Sequence, residues 1–391
     1  MSTRIEINTL LFYILIDLTA LFFMYLAEKY QPKEEDGATV PLSQGITIGK
    51  TIVVTVSLLF LFVSFNTLFL PAALRGRVGT DYGRYQQLFY SIGENSLNPI
   101  EKNWLKQSLL FLLINKIVYF TTKNYLWVMA VFAFIIVFMF IKAIVENSIN
   151  WTYSLFVLLS FCLYYQSFNQ IRQIVAISII MLSFKYLKYG DNKKFIISVF
   201  FAALFHLSAL IFIIMLPVKN IRISKKLITA SCIIGTLFYV GFNAFFSIIV
   251  KTGLYSQQLT SYEYSATFTS NTILNFVIRI MLLAGCLFVY KETTRRAPYT
   301  NIYYLAAIIC TILQIGAIKV SIFGRVTTYF YVAYIFLLPE VIKSFTEYFR
   351  NEVSHFLFIS FMTGLLIAYH FVYYYSTAVG SGYSVYRFFW Q

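Results

Sequence analysis

Apolar residues fall into long runs separated by short polar joins, and the runs set the architecture. An α-helix rises 1.5 Å per residue, so about 20 apolar residues cross ~30 Å of hydrocarbon. Runs near that length cover 7–27, 46–70, 125–144, 171–187, 195–216, 227–250, 273–290, 302–317, 322–342 and 355–375. Two shorter ones, 105–120 and 151–165, suit tilted, half-crossing or re-entrant segments. The pattern predicts an all-α, polytopic integral membrane protein with about 12 transmembrane helices, within a range of about 11–13. It reads as a single multipass domain over 1–391. Two joins are long: 74–106, which carries a dense polar motif, and 251–271, rich in Ser, Thr and Tyr.

Composition agrees with that reading. Of 391 residues, 59% are hydrophobic and 12% charged, about half the charged share of a soluble domain. Mean hydropathy is +0.72. So few charges exclude a cytosolic enzyme, a disordered chain and a secreted disulfide scaffold. The net charge of +15 has a topological explanation, since Lys and Arg collect in cytoplasmic loops. Lys29, Lys33 and Lys50 form one basic cluster, Lys219, Arg222, Lys225 and Lys226 a second, and Lys291, Arg295 and Arg296 a third. With 12 spans these share the cytoplasmic side, and 74–106 and 251–271 face outward. Lys188, Lys193 and Lys194 then fall outside, against the rule. One re-entrant segment would change that parity. The first apolar run reads as a retained helix, and Cys162, Cys232, Cys286 and Cys310 read as small core residues.

Ionisable residues inside apolar runs are costly and mark candidate chemistry. Asp17 is either a carboxylate paired with a basic neighbour or a proton site. Asn169, Arg172 and Gln173 recur at i, i+3 and i+4 and share one helix face. An arginine between two amides is a polar cap or a fork of donors for a phosphate oxygen. His206 is a satisfied core residue, a proton relay or a donor to substrate. Lys319 and Arg279 snorkel to the interface or act on a ligand. Arg325 opens a polar helix start that leads to Tyr329, and His370 reads as structural. The densest polar cluster holds Arg75, Arg77, Gly79, Asp81, Tyr82, Arg84 and Tyr85. Its glycines admit close backbone approach to a ligand, and its arginines place positive charge at the membrane surface. The bland alternative is an interfacial basic loop. No Walker loop, no zinc spacing and no Asp-x-Asp pair occurs, so a metal-dependent transferase using a nucleotide sugar is disfavoured. Positive charge arranged for an anionic leaving group fits better. The many tyrosines suit lipid interfaces and also the faces of sugar rings.

These segments, in this order, resemble the Wzy-type polysaccharide polymerases of the EpsG family. The matching pieces are Arg75 with Val78-Gly79-Thr80-Asp81-Tyr82 and Tyr85, then Glu101. Asn169-Gln170-Ile171-Arg172-Gln173, the His206 segment, and Gly324-Arg325 with Tyr329 follow. They cover roughly 50–335. The Glu101 segment departs from the family pattern, lacking a Pro-Gly after the Glu. The resemblance implies a GT-C-like polymerase/ligase architecture with a large extracytoplasmic loop, in the bacterial cytoplasmic membrane. It implies transfer of a growing glycan from polyprenyl pyrophosphate to the terminal sugar hydroxyl of a lipid-linked repeat unit. The product is O-antigen, capsule or exopolysaccharide. No cofactor, metal or nucleotide is implied. On this resemblance Arg172, His206 and Asp81 form the catalytic set. Arg75, Arg77, Tyr82, Tyr85, Asn169, Gln173, Arg325 and Tyr329 form the substrate-binding set. Expected partners are polyprenyl-pyrophosphate-linked oligosaccharides and membrane lipids, with room for a chain-length regulator and no nucleic acid. The competing readings are a lipid-linked oligosaccharide flippase or transporter, and an O-antigen ligase or membrane acyltransferase.

Overall fold

The structure, a computed structural model, describes residues 6–31, 48–106, 108–251, 270–319 and 323–391. Apart from its ends, the 251–271 loop lies outside the described residues. The described chain is helical throughout, with one isolated bridge between Arg75 and Phe388. Among the described residues, six helices are long and apolar enough to cross a membrane, or up to eight if each of two bent pairs is one span. The chain divides into two compact units. Unit 1 is Met1–Leu182, Phe200–Leu207 and Tyr374–Gln391; unit 2 is Ser183–Val199 and Ser208–Tyr373.

Unit 1 begins with α1 (Ile7–Lys29), which buries one stripe: Thr9, Tyr13, Ile16, Ala20, Met24 and Ala27. Its other face shows Leu11, Leu15, Leu18 and Phe22, a surface for hydrocarbon. α2 (Ile48–Leu74) runs antiparallel to it. Ser64 Oγ donates to Ala20 O at 2.8 Å and Ser57 Oγ to Ala27 O at 2.7 Å. Small residues and short hydroxyl bonds of this kind bring membrane helices close. The 74–106 segment is folded rather than an open loop: it holds α3 (Tyr82–Gly93) and α4 (Pro99–Leu105). α3 buries Tyr82, Tyr85, Leu88, Phe89 and Ile92, with Tyr85 and Phe89 against rings of α5 (Leu109–Thr122). Glu101 completes a capping box with Asn98, a structural task. α6 (Tyr125–Asn147) follows.

The expected 151–165 run is broken. α7 (Trp151–Ser160) stops at Phe161, Cys162 takes a left-handed φ of 55°, and α8 spans Leu163–Gln166. Gln166 answers the break by donating from Nε2 to Phe161 O at 3.1 Å. The region is fully buried, the condition under which irregular backbone survives at membrane depth. The start of α7 is capped from afar. The Glu28 carboxylate accepts from Trp151 N at 2.8 Å and from Thr152 N at 3.0 Å and Oγ1 at 2.6 Å. A carboxylate on orphan helix N–H groups is the favourable placement.

α9 (Ile171–Lys188) leads from unit 1 into unit 2. The expected 195–216 span is a hairpin instead. α10 (Asn192–Ala203) rises about 18 Å, too short to cross. A non-helical apex at Phe205 and His206 follows, then a 3₁₀-helix (Leu207–Ile214) and α11 (Met215–Val218). Its two feet meet where Lys219 Nζ donates to Asn192 Oδ1. Asn301 Nδ2 donates to Ile221 O at 2.9 Å, and Lys188 Nζ lies 3.9 Å from the centre of the Tyr299 ring. The basic stretches at 188–194, 219–226 and 291–296 therefore share one end of unit 2. The parity that placed Lys188, Lys193 and Lys194 opposite the other two is corrected, and the positive-inside pattern loses its exception.

The rest of unit 2 is α12 (Lys225–Lys251), α13 (Ser270–Phe288), α14 (Tyr290–Arg296), α15 (Thr300–Lys319), α16 (Phe323–Tyr331), α17 (Ala333–Tyr348) and α18 (Glu352–Thr377). α13 bends by 59° into α14, and α16 by 41° into α17. Glu340, buried in α17, holds the Arg296 guanidinium and the Tyr299 hydroxyl. Phe242, Phe246, Ala317 and Phe323 form an aromatic core between α12, α15 and α16.

Replacing Glu28 with Ala strips three charge-assisted bonds from the start of α7. The expected loss of stability is about 1–3 kcal/mol, read as a lower thermal midpoint in detergent. An unchanged midpoint would contradict the capping role.

Candidate active site

Two of the motif segments, almost ninety positions apart in the chain, meet in unit 1. The turn after α2 reverses at Gly79, whose φ is +96°. A Cβ there would lie 2.5 Å from Phe168 O, so only glycine fits both the dihedral and the approach. Asn169 then locks the turn. Its Oδ1 accepts from Asp81 N at 2.9 Å, and its amide exchanges bonds with Thr80 Oγ1 at 3.0–3.1 Å. Asn169 thereby holds the backbone of Asp81, which occupies the position before the first turn of α3.

The C-terminal tail clamps the same turn from its other side. Gly79 N donates to Gly382 O at 2.9 Å, Thr80 N to Ser381 O at 3.0 Å and Gly76 N to Arg387 O at 2.8 Å. A Cβ on Gly76 would sit 2.6 Å from Phe389 Cα. The tail follows the last apolar run, and its cluster of Gly380, Ser381, Gly382 and Ser384 was its sole sequence signal.

Arg172 is buried in the first turn of α9. Its Nη1 donates to Ser108 Oγ at 2.8 Å, its guanidinium lies 5.7 Å from the Phe111 ring centre, and it hydrogen-bonds the Tyr85 hydroxyl. Asp81 and Arg84 exert opposing fields on it. Gln173 is buried beside it in sequence. Ser108 escaped sequence reasoning, since nothing marks a lone serine before an apolar run.

Arg75 is buried too. It donates to Ala72 O and lies 4.8 Å from the Phe168 ring centre, while its Nε is buried without a hydrogen-bond partner. Burial draws its proton affinity below the usual range, and the phenols of Tyr125, Tyr164, Tyr386 and Tyr82 offset this. No carboxylate pairs with it among the described residues. Burial raises the Tyr82 phenol above its ordinary range, with Arg75 and Arg77 opposing. Arg77 is exposed, at a left-handed φ of 55°. His206, half-buried, follows Leu204, whose carbonyl accepts from Leu110 N at 3.1 Å. Its segment is thereby tied to the start of α5, two residues from Ser108.

Arg325 and Tyr329 belong to unit 2, on α16. Arg325 is exposed; Tyr329 is fully buried and shares a 3.1 Å hydrogen bond with Ser208. Arg279 does not snorkel. It is 5% exposed, donates to Gln314 Oε1 at 2.6 Å and Tyr369 OH at 2.5 Å, and lies 4.6 Å from the Tyr331 ring centre. Lys319 caps the Tyr239 ring at 4.1 Å. Asp17 has no basic partner among the described residues; its Oδ1 accepts from Tyr165 OH at 2.7 Å. Among the described residues no three His, Cys, Asp or Glu side chains are grouped to hold a metal.

Fold and site together define a multi-helix membrane protein with buried arginines held by tyrosines, hydroxyls and amides. A family model, the EpsG family, matches residues 58–388, and the chain belongs to that family. Membership implies a polysaccharide polymerase of glycosyltransferase type. No curated protein and no solved structure matches the chain.

Gly79→Ala is expected to displace the Asp81 turn from Asn169. The readout is faster proteolysis between α2 and α3 in the membrane-inserted protein, with any polymerising activity down by about tenfold or more. Wild-type proteolysis in that variant would show that the turn tolerates a side chain.

Proposed function

We propose that the chain polymerises lipid-linked repeat units on the outer face of the bacterial cytoplasmic membrane, in O-antigen, capsule or exopolysaccharide synthesis. The bond between the donor's anomeric carbon and the pyrophosphate oxygen breaks. A bond from that carbon to the acceptor's sugar hydroxyl forms. The hydroxyl proton is lost, and polyprenyl pyrophosphate leaves. The donor carries its own leaving group, so no nucleotide or metal is required. A chain-length regulator is the protein partner that fits this reading.

The observation that carries the proposal is the meeting of the Gly79–Asp81 turn with the Asn169–Arg172 segment. It sets a buried guanidinium, Arg172, in the same neighbourhood as a carboxylate, Asp81. Charge developing on a departing pyrophosphate needs preorganised cations in a poorly solvated site. Arg172 supplies the fork, and Arg75 adds positive field from a cage of phenols. Asp81 orients or deprotonates the acceptor hydroxyl in this reading, with His206 as the second candidate base. Tyr82, Tyr85 and the exposed Arg77 serve the glycan and headgroup. Gln173 supports Arg172. Asn169 acts by holding the turn.

The test is reconstitution of purified protein with a lipid-pyrophosphate-linked repeat unit, without nucleotide or metal, with products resolved by length. A ladder is expected from wild type. Arg172→Ala is expected to lower its rate by about 10²–10³-fold. Arg172→Lys is expected to fail as well, since a point charge does not reproduce the planar fork that serves Ser108, Tyr85 and the phosphate together. Full activity in the lysine variant would sink the clamp role, and no ladder from wild type with a matched substrate would sink the polymerase.

A further inference from the structure

α1 carries one ionisable group that the chemistry above does not use. Asp17 stands at the middle of the helix, which runs from Ile7 to Lys29, about 15 Å or more from either end. A carboxylate at that depth is among the costliest groups a bilayer holds, and it persists with a partner. The interior of unit 1 supplies half of one. Tyr165 OH donates to Oδ1 at 2.7 Å, and no cation approaches among the described residues. Oδ2 accepts no hydrogen bond from the described residues, and the side chain is partly exposed. One carboxylate oxygen is therefore left open at mid-depth.

Asp17 also flanks a seam. Leu11, Leu18 and Tyr25 recur every seven residues on the exposed face of α1, with exposed Ile14 and partly exposed Leu21 between them. These are the a and d places of a heptad, the stripe along which one helix packs on another. Asp17 takes the g place beside it, where charged residues select a partner. Bilayer lipid does not complete this surface. Acyl chains offer a carboxylate nothing, and headgroup cations lie half a bilayer away. A second copy of the chain has no free cation to bring from its described spans. Arg75, Arg172 and Arg279 are enclosed, while Lys116, Lys142 and Lys319 are engaged by Asn95, Glu146 and the Tyr239 ring.

We propose that this face of α1 docks a membrane-spanning helix of another protein, one that carries a lysine or arginine at mid-depth. The cation pairs with the open Oδ2 of Asp17, while Tyr165 keeps Oδ1 and fixes the direction of the carboxylate. Packing along the a and d stripe brings the helices together, and the ion pair sets depth and partner. The docking face does not rest on the polymerase reading.

The probe is a leucine–alanine helix the length of α1, with one central lysine and a diazirine side chain beside it. It is reconstituted with the full chain in phosphatidylcholine nanodiscs. Photolabel is expected on α1 around Leu18. The same helix with leucine in place of the lysine should label about tenfold less, as should one whose lysine sits two turns nearer an end. Asp17→Asn keeps the side-chain shape and an acceptor for Tyr165. It should erase the difference between lysine and leucine helices at an unchanged unfolding temperature, and Asp17→Glu should keep that difference. Asp17→Lys should reverse the preference, towards a helix with a central aspartate, a swap that packing alone does not produce. Should the Asp17 variants misfold, the comparison of probe helices on the wild-type chain decides the question. Equal labelling by lysine and leucine helices overturns the proposal, and so does the lack of label on α1. Lysine-dependent labelling that survives Asp17→Asn also overturns it, leaving Asp17 a neutral acid held by Tyr165. Disulfide-linked dimers through Leu18→Cys in probe-free proteoliposomes would assign the face to a second copy and overturn it as well.

Discussion

A guanidinium buried in a protein interior keeps its charge, so the protein around it has to supply what water would. This constraint organises the interior of both units. Arg75, Arg172 and Arg279 are each buried, and each is surrounded by aromatic rings and neutral oxygens. Where a carboxylate partner would cancel the charge, phenol, hydroxyl and amide groups stabilise it and leave the positive field in place. Contrast Arg296, which is bound to Glu340 at the basic end of unit 2 and is electrostatically spent.

The same constraint shapes the backbone. A break in a helix frees carbonyls and N–H groups that lipid cannot satisfy. The break at Cys162 is buried and answered by Gln166. The turn at Gly79 is answered by Asn169 on one side and the C-terminal tail on the other. The two structures that depart furthest from simple spans are thus those that carry the motif residues. Irregularity here is positioned: helices that stop early leave the Asn169 segment against the Thr80–Asp81 turn.

Much of this was legible in the sequence. The all-helical membrane class followed from run length and scarcity of charge, and the spans at 7–29, 125–147 and 300–319 agree closely with the expected runs. Arg172 was conspicuous as a charge between two apolar runs, Asn169 by sharing its helix face, and Arg75 and Asp81 by the dense polar cluster of the 74–106 segment. Their division of labour was not legible. Asn169 looked like part of a phosphate fork, and its bonds to Thr80 and Asp81 across the chain were not foreseen. Glu101 looked like motif and proves to be a helix cap. Arg279 looked like a snorkelling residue and is a caged one. In each case the local pattern is compatible with several partners, and the partner lies far away in the chain.

What the amino-acid sequence determined by itself is therefore the solvent and the inventory: a chain with too few charges to live in water, and a short set of residues too polar to sit in lipid without cause. Hydrophobicity is additive along the chain, so it can be read one window at a time. Only the tertiary structure decided which runs cross and which turn back. It also decided that the 188–194 and 219–226 stretches share an end, and that the 79–81 turn meets Asn169 under the C-terminal tail. Those outcomes depend on hydrogen bonds between residues up to several hundred positions apart. Such pairings carry no periodicity and leave no local trace.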